Sequence, residues 1–407
     1  MPNRSGVWNL NTVLQAKNAT NWPTRPDAPT GVSAVAGDEQ ATVSFTPPSF
    51  QGIPATIIDY RATSTPDGIT ATASSSPITV TGLTNDTAYT FTVAAQNELG
   101  YGAEGGPSGS VTPETPPVGL YYLDAIPTTI DKIDIASTGN ATDYGDLDEF
   151  RTHIGSMSSK TIALWGSCDY PSATRTRLVT FTIATGGTAT TFGDLTVGRF
   201  FATGTSNQTR GIMGGGRIND GSKYDTIDYV TFASAGDATD FGNLTVARSN
   251  LGACSSPTRS VFGGGVLDPS GATNVIDYVT TASTGNATDF GDLTTTADSS
   301  SRGTCSSSTR GLFAGINSGS NAINYITIAS TGNAVDFGDL NRTCDNAAST
   351  SSKTRGIFAV GQNNGGGAIN NIDYVTIAST GNATDFGDST GTTASSAGAS
   401  NAHGGLA

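Results

Sequence analysis

Histidine is almost absent from this sequence, with two residues, His153 and His403, among 407. A histidine-based zinc site and a Ser-His-Asp triad both depend on this residue, so neither chemistry is favoured. Cysteine is equally scarce. The four cysteines are Cys168, Cys254, Cys305 and Cys344. They form no CxxC pair and no metal-ligand spacing, so we expect free buried thiols and no metal or other cofactor.

Charge is low and of one dominant sign. Charged residues make up 13% of the chain, about half of the usual share of roughly 25%. The formal net charge is −14, and no Lys/Arg-rich run offsets it. Such a chain repels phosphate backbones, so a nucleic-acid partner is not expected. No apolar run approaches the roughly 18 residues that span a bilayer, which argues against membrane insertion.

Residues 1–25 read as a short leader. "MPNRSGVWNLNTVLQ" lacks the apolar core of a signal peptide, so export by a secretory signal is not expected. Asn11 is a plausible N-cap for about two helical turns that end before Trp22-Pro23. Trp8, Leu10, Val13 and Leu14 are too few to form a core of their own. We expect the leader to anchor the chain on another domain or subunit, with Trp8, Leu10 and Trp22 as the candidate anchor residues.

Residues 26–116 have the pattern of a β-sandwich. Four strand-like runs are separated by Pro, Gly, Asn and Asp turns. These runs are "ATVSF" (41–45), "TIIDYRAT" (56–63), "ITVTGL" (78–83) and "AYTFTVAAQN" (88–97). Leu83 followed by Tyr89 is typical of a tyrosine corner. The segment resembles a fibronectin type III domain, with Phe45 where that family usually has a tryptophan.

Residues 117–407 contain repeats. "STGNATDFGDL" (283–293) is one of six near-copies, spaced by 47 to 49 residues. A period near 50 is typical of kelch-type propeller blades. Two further signals recur in most repeats, an Arg-initiated run such as "TRGIMGGG" (209–216) and a run such as "IDYVTFAS" (227–234). Each repeat therefore predicts four strands, with the quoted stretch as the hairpin between the third and fourth. We expect Gly285 to supply a positive φ in that hairpin.

The two ends of the repeat region predict closure. Residues 129–147 match only the third and fourth strands of a repeat, and residues 395–407 align with the first and second. Together they make one shared blade, which predicts a six-bladed kelch-like β-propeller with no free sheet edge. We also expect ion pairs within the blades. The predicted pairs are Arg210–Asp240, Arg259–Asp289, Arg310–Asp336 and Arg355–Asp385.

The loops between second and third strands diverge while the scaffold repeats, which is how binding surfaces are built. The candidate interactive side chains in these loops are Tyr170, Arg175, Arg217, Tyr224 and Asp268. The alternatives are weaker. Asp289 and Asp292 supply too few oxygens per repeat for Ca²⁺. The diglycines lack the Lys-Ser/Thr of a P-loop. The repeated tyrosines, Tyr229 among them, fit a core between blades better than a platform for sugars.

As a set, the tryptophan-bearing leader, the fibronectin-like module and the "IASTGNATDFGDL" blades resemble virion structural proteins of tailed bacteriophages, particularly marine ones. The resemblance implies a non-enzymatic tail fibre or baseplate appendage that assembles in the host cytoplasm and binds a host-surface glycan or protein. It implies virion partners for the leader and a homo-oligomer, with a trimer as one option. A connector or head decoration protein without receptor binding, and a glycan-active enzyme, are the alternatives.

Overall fold

The computed structural model describes residues 22–124, 128–169, 175–269, 271–297, 303–315, 319–343, 345–363, 366–393 and 396–406. The chain divides into two units, residues 1–116 and 117–407. Both are built from strands, and the one helix in the described residues is a 3₁₀ turn at Gly404–Leu406. The expected all-β class is therefore confirmed. The predicted helical turns after Asn11, with Trp8 and Leu10, lie outside the described residues.

Seven strands form the first unit. They are β1 (Thr30–Gly37), β2 (Gln40–Thr46), β3 (Asp59–Thr65), β4 (Thr70–Ala73), β5 (Ile78–Thr81), β6 (Thr90–Asn97) and β7 (Gly100–Gly105). They make two sheets, ordered β1-β2-β5 and β4-β3-β6-β7. Alternate residues of β2 and β3 are buried, as expected for strands that cover a core on one face. The result is a β-sandwich.

The tyrosine corner forms as predicted. The hydroxyl of Tyr89, which is fully buried, accepts a hydrogen bond from the backbone N–H of Thr84 at 3.2 Å and donates to Asp67 at 2.8 Å. Leu83 is buried beside it. Phe45 contributes to the same core, with its ring 4.8 Å from that of Tyr60. The aromatic role that a tryptophan usually has in this position is therefore kept.

The second unit contains twenty-seven strands in the described residues. They are β8 (Val118–Leu123), β9 (Thr129–Asp134), β10 (Thr142–Asp146), β11 (Gly155–Ser158), β12 (Ile162–Gly166), β13 (Arg177–Thr182), β14 (Gly187–Thr188), β15 (Thr190–Asp194), β16 (Thr203–Ser206), β17 (Arg210–Gly214), β18 (Thr226–Thr231), β19 (Thr239–Asn243), β20 (Arg248–Ser249), β21 (Gly252–Ser255), β22 (Arg259–Gly263), β23 (Val266–Leu267), β24 (Thr273–Thr280), β25 (Thr288–Ala297), β26 (Gly303–Ser306), β27 (Arg310–Ala314), β28 (Ala322–Thr327), β29 (Val335–Asp339), β30 (Ala348–Ser351), β31 (Arg355–Gln362), β32 (Ala368–Thr376), β33 (Thr384–Thr393) and β34 (Ser396–Ser400).

These strands make six main sheets. The second to sixth sheets are antiparallel and four-stranded, ordered β11-β12-β13-β15, β16-β17-β18-β19, β21-β22-β24-β25, β26-β27-β28-β29 and β30-β31-β32-β33. The first sheet has the order β34-β8-β9-β10-β14, so its innermost strand comes from the C-terminal end of the repeats. A minor two-stranded sheet pairs β20 with β23.

The predicted make-up of the first sheet is wrong in one respect. Its second strand is β8, which runs over "VGLYYL" just before the first recognisable repeat, and does not come from residues 401–407. Tyr121 and Tyr122 of β8 are fully buried. The first sheet thus has three strands from residues 118–146, one from the C-terminal end and the short β14 from the second repeat. The repeat alignment misses β8 because that strand lacks the Arg-Gly start of its counterparts.

The third strands are apolar on both sides because sheets pack on each of their faces. Ile227 of the third sheet packs with Val279 of the fourth, for example. Equivalent clusters lie between the first and second, the second and third, the fourth and fifth, and the fifth and sixth sheets. Tyr121 and Ile133 of the first sheet pack with Ile357 and Ile372 of the sixth. The last sheet therefore packs against the first through the same kind of core.

The innermost strands are joined by serine side chains. In each, the last serine donates its Oγ–H to the backbone carbonyl of the equivalent serine in a neighbouring strand, at 2.7–2.8 Å. Following donor to acceptor, the order is Ser400, Ser351, Ser306, Ser255, Ser206, Ser158 and back to Ser400. The hydrogen bonds form one closed cycle of six serines.

The repeated hairpin contacts the sheet before it. The amide of Ala287 donates to the carbonyl of Asn243, the last residue of β19, at 2.7 Å, and equivalent bonds of 2.7–2.8 Å occur between all six consecutive pairs of sheets, the sixth and first included. A Cβ on Gly242 would lie inside van der Waals distance of the carbonyl oxygen of Gly285. Gly285 has a φ of 157°, so it supplies the positive φ that the sequence predicts for the hairpin. Gly242 has a φ of 145° as well, and the close approach of the two backbones is a second reason for glycine at that position.

The predicted ion pairs are wrong. In the described residues no ion pair joins Arg210, Arg259, Arg310 or Arg355 to the aspartate of its own sheet. Each guanidinium instead lies over the tyrosine of the third strand, at 4.5–5.0 Å from the ring centroid. Each also donates to a carbonyl at the end of a third strand in the next sheet, as Arg259 does to Ile328 at 2.9 Å. The aspartates are exposed, so water solvates them and an ion pair adds little.

Gly242→Ala tests the hairpin contact. We expect it to destabilise the second unit by about 1–3 kcal/mol, because the methyl group overlaps a backbone carbonyl that has little room to move. The measurement is urea unfolding followed by circular dichroism. Gly236→Ala is the matched control, since a Cβ there meets nothing within 4 Å. An unfolding midpoint in Gly242→Ala equal to that of the control contradicts the close approach.

Truncation tests the contribution of β34. Removal of residues 396–407 takes away a strand that pairs with β8 and carries Ser400, so we expect aggregation or loss of cooperative thermal melting of the second unit. Removal of residues 402–407 keeps β34 and serves as the control, which we expect to melt cooperatively. Equal melting of the longer and the shorter deletion would falsify the idea that β34 completes the first sheet.

Candidate functional site

The loops after the second strands and the links that enter the innermost strands share one surface of the second unit, here called the loop face. Arg217 follows β17 and pairs through its backbone with Phe200, which lies in the link before β16. Arg175 precedes β13 and reaches the same phenylalanine. Residues from the second and third sheets thus meet on this face. The shared location follows from topology, because both segments leave the same end of their sheets.

Two arginines and two phenylalanines form a stack there. The guanidinium carbon of Arg217 lies 5.2 Å from the ring centroid of Phe200 and 4.7 Å from that of Phe201. Arg175 approaches Phe200 from another side at 5.3 Å. The two phenylalanine rings are 5.4 Å apart and almost fully buried. Such cation–π contacts are worth about 0.5–2 kcal/mol each, so they hold the guanidinium groups in fixed positions.

Some charged side chains around the stack form ion pairs, and Arg217 does not. Arg175 donates to Asp169 at 3.2 Å, and His153 Nδ1 lies 3.8 Å from the same carboxylate. Lys223 is 4.0 Å from the half-exposed Asp268. Among the described residues, Arg217 makes no ion pair and no side-chain hydrogen bond, and its Nε is buried. Arg217 is therefore a cation of the loop face that has no acidic partner among the described residues.

A pocket of about 480 Å³ opens beside Arg217. Its other lining residues include Phe201, Asn250, Val266, Ala272 and Asn346. These come from the third, fourth and sixth sheets, whose innermost strands surround the centre of the unit. The volume falls within the roughly 300–1,000 Å³ of ordinary small-molecule sites. No Asp or Glu lines it among the described residues.

Four residues that precede innermost strands have left-handed backbones. His153, Phe201, Asn250 and Asn346 each stand two residues before such a strand, with φ of 55–58°. Asparagine tolerates this region and phenylalanine does so at a cost of order 1 kcal/mol or more. Asn346 has a buried Oδ1 with no hydrogen-bond partner. Backbone strain and an orphaned polar atom both mark the pocket as a place where the fold is not optimised for stability alone.

Under the loop face, a small cavity of about 90 Å³ runs between the innermost strands. The 3₁₀ turn lies at its far end, where a Cβ on Gly404 or Gly405 would overlap carbonyl oxygens of Ser307 and Ser206. His403 Nδ1 accepts from the N–H of Gly405 at 3.1 Å, so the neutral ring carries its proton on Nε2, 3.2 Å from the carbonyl of Ser158. Burial lowers the pKa of His403 from 6.5 to about 4.

The structure brings only some of the sequence-predicted site residues together. Arg175 and Arg217 meet at Phe200, and Asp268 lies near Lys223. Tyr224 is half-buried and forms backbone hydrogen bonds with Gly216 and Arg248. Tyr170 is outside the described residues. Of the proposed anchor residues only Trp22 is described, and 41% of its surface is exposed.

Sequence reasoning missed Phe200, Phe201, Asn250 and Asn346. The available signal was the adjacent pair "FF" in a link where the other repeats have no aromatic pair. The cysteine expectation holds for Cys254 and Cys305, which are buried free thiols, and Cys168 is buried as expected, whereas Cys344 is outside the described residues. Burial raises the pKa of the Cys254 and Cys305 thiols, so they are poor nucleophiles.

Comparison with known proteins identifies the first unit. The family model described as "Fibronectin type III domain" matches residues 27–111. Residues 27–111 are a fibronectin type III domain. A search of curated proteins finds no match to the chain.

In the part of the chain that the structure describes, no three His, Cys, Asp or Glu side chains cluster as metal ligands. No described helix is long and apolar enough to cross a membrane.

Acidification tests the environment of His403. Its pKa is lower in the folded protein than in the unfolded chain, so the unfolded state binds the proton first and stability is lost as pH falls from about 6.5 to about 4. Since part of the ring is accessible, we expect a loss of about 1–3 kcal/mol across that window. His403→Gln removes this slope from urea unfolding profiles, whereas the control His153→Gln keeps it. Parallel profiles for the wild type and His403→Gln contradict the assignment.

Proposed function

We propose that residues 117–407 form a closed six-bladed, kelch-like β-propeller in which each main sheet is one blade. Three independent sets of contacts support the proposal, and each returns from the sixth sheet to the first. They are the apolar clusters between sheets, the serine hydrogen bonds of the innermost strands and the hairpin amides at the outer strands. The repeat length near 49 residues agrees with a kelch-type blade.

The function we propose is non-enzymatic attachment. The protein is a virion structural protein of a tailed bacteriophage, a tail fibre or baseplate appendage, whose loop face binds the host surface. One observation carries the binding role. The hairpin face repeats almost the same residues in every sheet, whereas the loop face gathers residues found in only one or two repeats into a cationic and aromatic pocket. Aromatic and arginine side chains anchor most interfaces.

The virion role rests on the sequence resemblance. It assigns the leader, with Trp8, Leu10 and Trp22, to contacts with other virion proteins, and it assigns the fibronectin type III domain to a spacer. Weak binding by one loop face gains avidity when copies are arrayed on a particle or in a homo-oligomer. Assembly in the host cytoplasm follows from the same resemblance.

The alternatives predict different chemistry. A glycan-active enzyme of the common kind needs two carboxylates about 5–10 Å apart at the sugar, and the absence of acids from the described pocket lining favours binding over hydrolysis. A connector or head decoration protein needs no exposed pocket, and the half-exposed charges of the loop face speak against a surface buried in every particle.

Loop replacement tests the attachment role. Gly-Ser segments of equal length in place of 217–225 and 266–274 remove Arg217, Lys223 and Asp268, so we expect a folded protein that no longer competes with virions for adsorption to host cells. The control replaces 363–367, "NNGGG", which is already Gly- and Asn-rich and lies between second and third strands of another sheet. Full competition by the loop-replaced protein moves the assignment to a structural connector.

A further inference from the structure

The pocket on the loop face contains two polar groups that the protein leaves unsatisfied. The Nε of Arg217 and the Oδ1 of Asn346 are both buried without hydrogen-bond partners, and both residues line the same cavity. A buried polar group without a partner costs about 1–3 kcal/mol. Six other described arginines also have a buried Nε without a hydrogen-bond partner, so the more distinctive group is the Oδ1 of Asn346, which a solvent molecule or a ligand would satisfy.

Arg217 stands apart from the other described arginines of the second unit. The others use their guanidinium groups within the protein. Arg151, Arg175, Arg177, Arg199, Arg248 and Arg342 bind carboxylates, and Arg210, Arg259, Arg310 and Arg355 bind backbone carbonyls. Among the described arginines of the second unit, Arg217 is thus the one whose guanidinium has neither a carboxylate nor a backbone carbonyl as its partner. Its stacking on Phe200 and Phe201 fixes the guanidinium in place before any ligand arrives.

The chemistry of the missing partner follows from the two groups. Arg217 lacks an anion, and a planar guanidinium binds a carboxylate through two parallel hydrogen bonds. The orphaned oxygen of Asn346 lacks a donor, which a hydroxyl group supplies. Asn250 adds a second amide to the lining, and Val266 and Ala272 add a short apolar wall. Carboxylate, several hydroxyls and an apolar ring face occur together in acidic sugars.

We propose that this pocket binds the carboxylate-bearing sugar residue of an acidic surface polysaccharide, with Arg217 on the carboxylate and Asn346 on a hydroxyl. The proposal deepens the attachment role proposed above and rests on it for its biological meaning. A nucleic acid is a poor alternative because the net charge is −14 and one unpaired cation does not offset it. A neutral sugar leaves Arg217 without a partner.

The experiment uses the purified full chain and isothermal titration calorimetry. The probes are trigalacturonic acid, triglucuronic acid, the methyl ester of trigalacturonic acid and inorganic sulfate. We expect at least one acid to bind, the ester to bind at least about tenfold more weakly, since a charged hydrogen bond is lost, and affinity to fall with added salt. Arg217→Gln is expected to lose about tenfold or more for the acid and to bind the ester as the wild type does.

Lys353→Gln removes the same charge from an exposed turn between first and second strands, away from the pocket, and is the matched control. Equal melting temperatures of both variants and the wild type establish that Arg217→Gln is folded. Equal affinity for acid and ester, no binding of either acid, or an unchanged affinity in Arg217→Gln overturns the proposal. Sulfate that competes as well as the acids do reduces the site to one for any small anion and also overturns it.

The experiments distinguish a failure of the proposed sugar site from a failure of the proposed attachment role. If the loop-replaced protein loses competition for host cells while acid and ester bind the wild type equally, attachment stands and acid recognition fails. If Arg217→Gln loses the acid but competes for host cells as the wild type does, the sugar site stands and its role in attachment fails.

Discussion

The hydrogen-bonded cycle of six serines is the constraint on which the second unit depends. Each Oγ bridges to the backbone of a neighbouring strand, which requires a short side chain and links the six strands in one cycle of hydrogen bonds. Larger side chains do not fit the cavity of about 90 Å³ that remains. For the same reason, two glycines stand where the C-terminal turn presses on the strand ends. A polar cycle of this kind fixes register as well as separation, because a slip by one residue removes every serine from its acceptor.

The outer strands lie at the edges of their sheets, where backbone groups need partners. A fourth strand at the rim would expose a row of unpaired amides and carbonyls to other chains. Here the hairpin of the following sheet covers part of that row, and Gly242 and its equivalents allow two backbones to come into contact. The eleven-residue motif is therefore conserved between repeats within this chain because it forms an interface between sheets. A segment that faces the next sheet on one side has little freedom to diverge, which is why the proposed attachment role is assigned to the opposite face.

The sequence was sufficient for features that depend on local pattern. Strand positions, the tyrosine corner around Leu83 and Tyr89, and the fibronectin type III fold follow from spacing and turn residues. The failures concern contacts across repeats. Arg259 reaches a carbonyl of the next sheet because its ring partner, Tyr278, directs it there, and no in-repeat pairing rule reveals that. β8 was missed because a strand that pairs with the far end of the chain need not resemble its counterparts. The pocket unites Phe201, Asn250 and Asn346, which are about 50 to 145 residues apart in sequence, so only the fold brings them together.

The same geometry explains why the loop face tolerates features that a stable core excludes. In four of the links that enter innermost strands, a left-handed residue two positions before the strand turns the chain into it; these residues are His153, Phe201, Asn250 and Asn346. Asparagine does so at low cost in two links, whereas Phe201 does so with strain. The strained phenylalanine stacks with Arg217, whose Nε is buried. The strain lowers local stability, and the stacking holds the guanidinium in a fixed position beside the pocket. Preorganisation matters most when a single contact is weak, because a group already held in place loses little entropy on binding. A rigid cation beside the pocket would thus suit the proposed attachment role, in which many weak contacts act together.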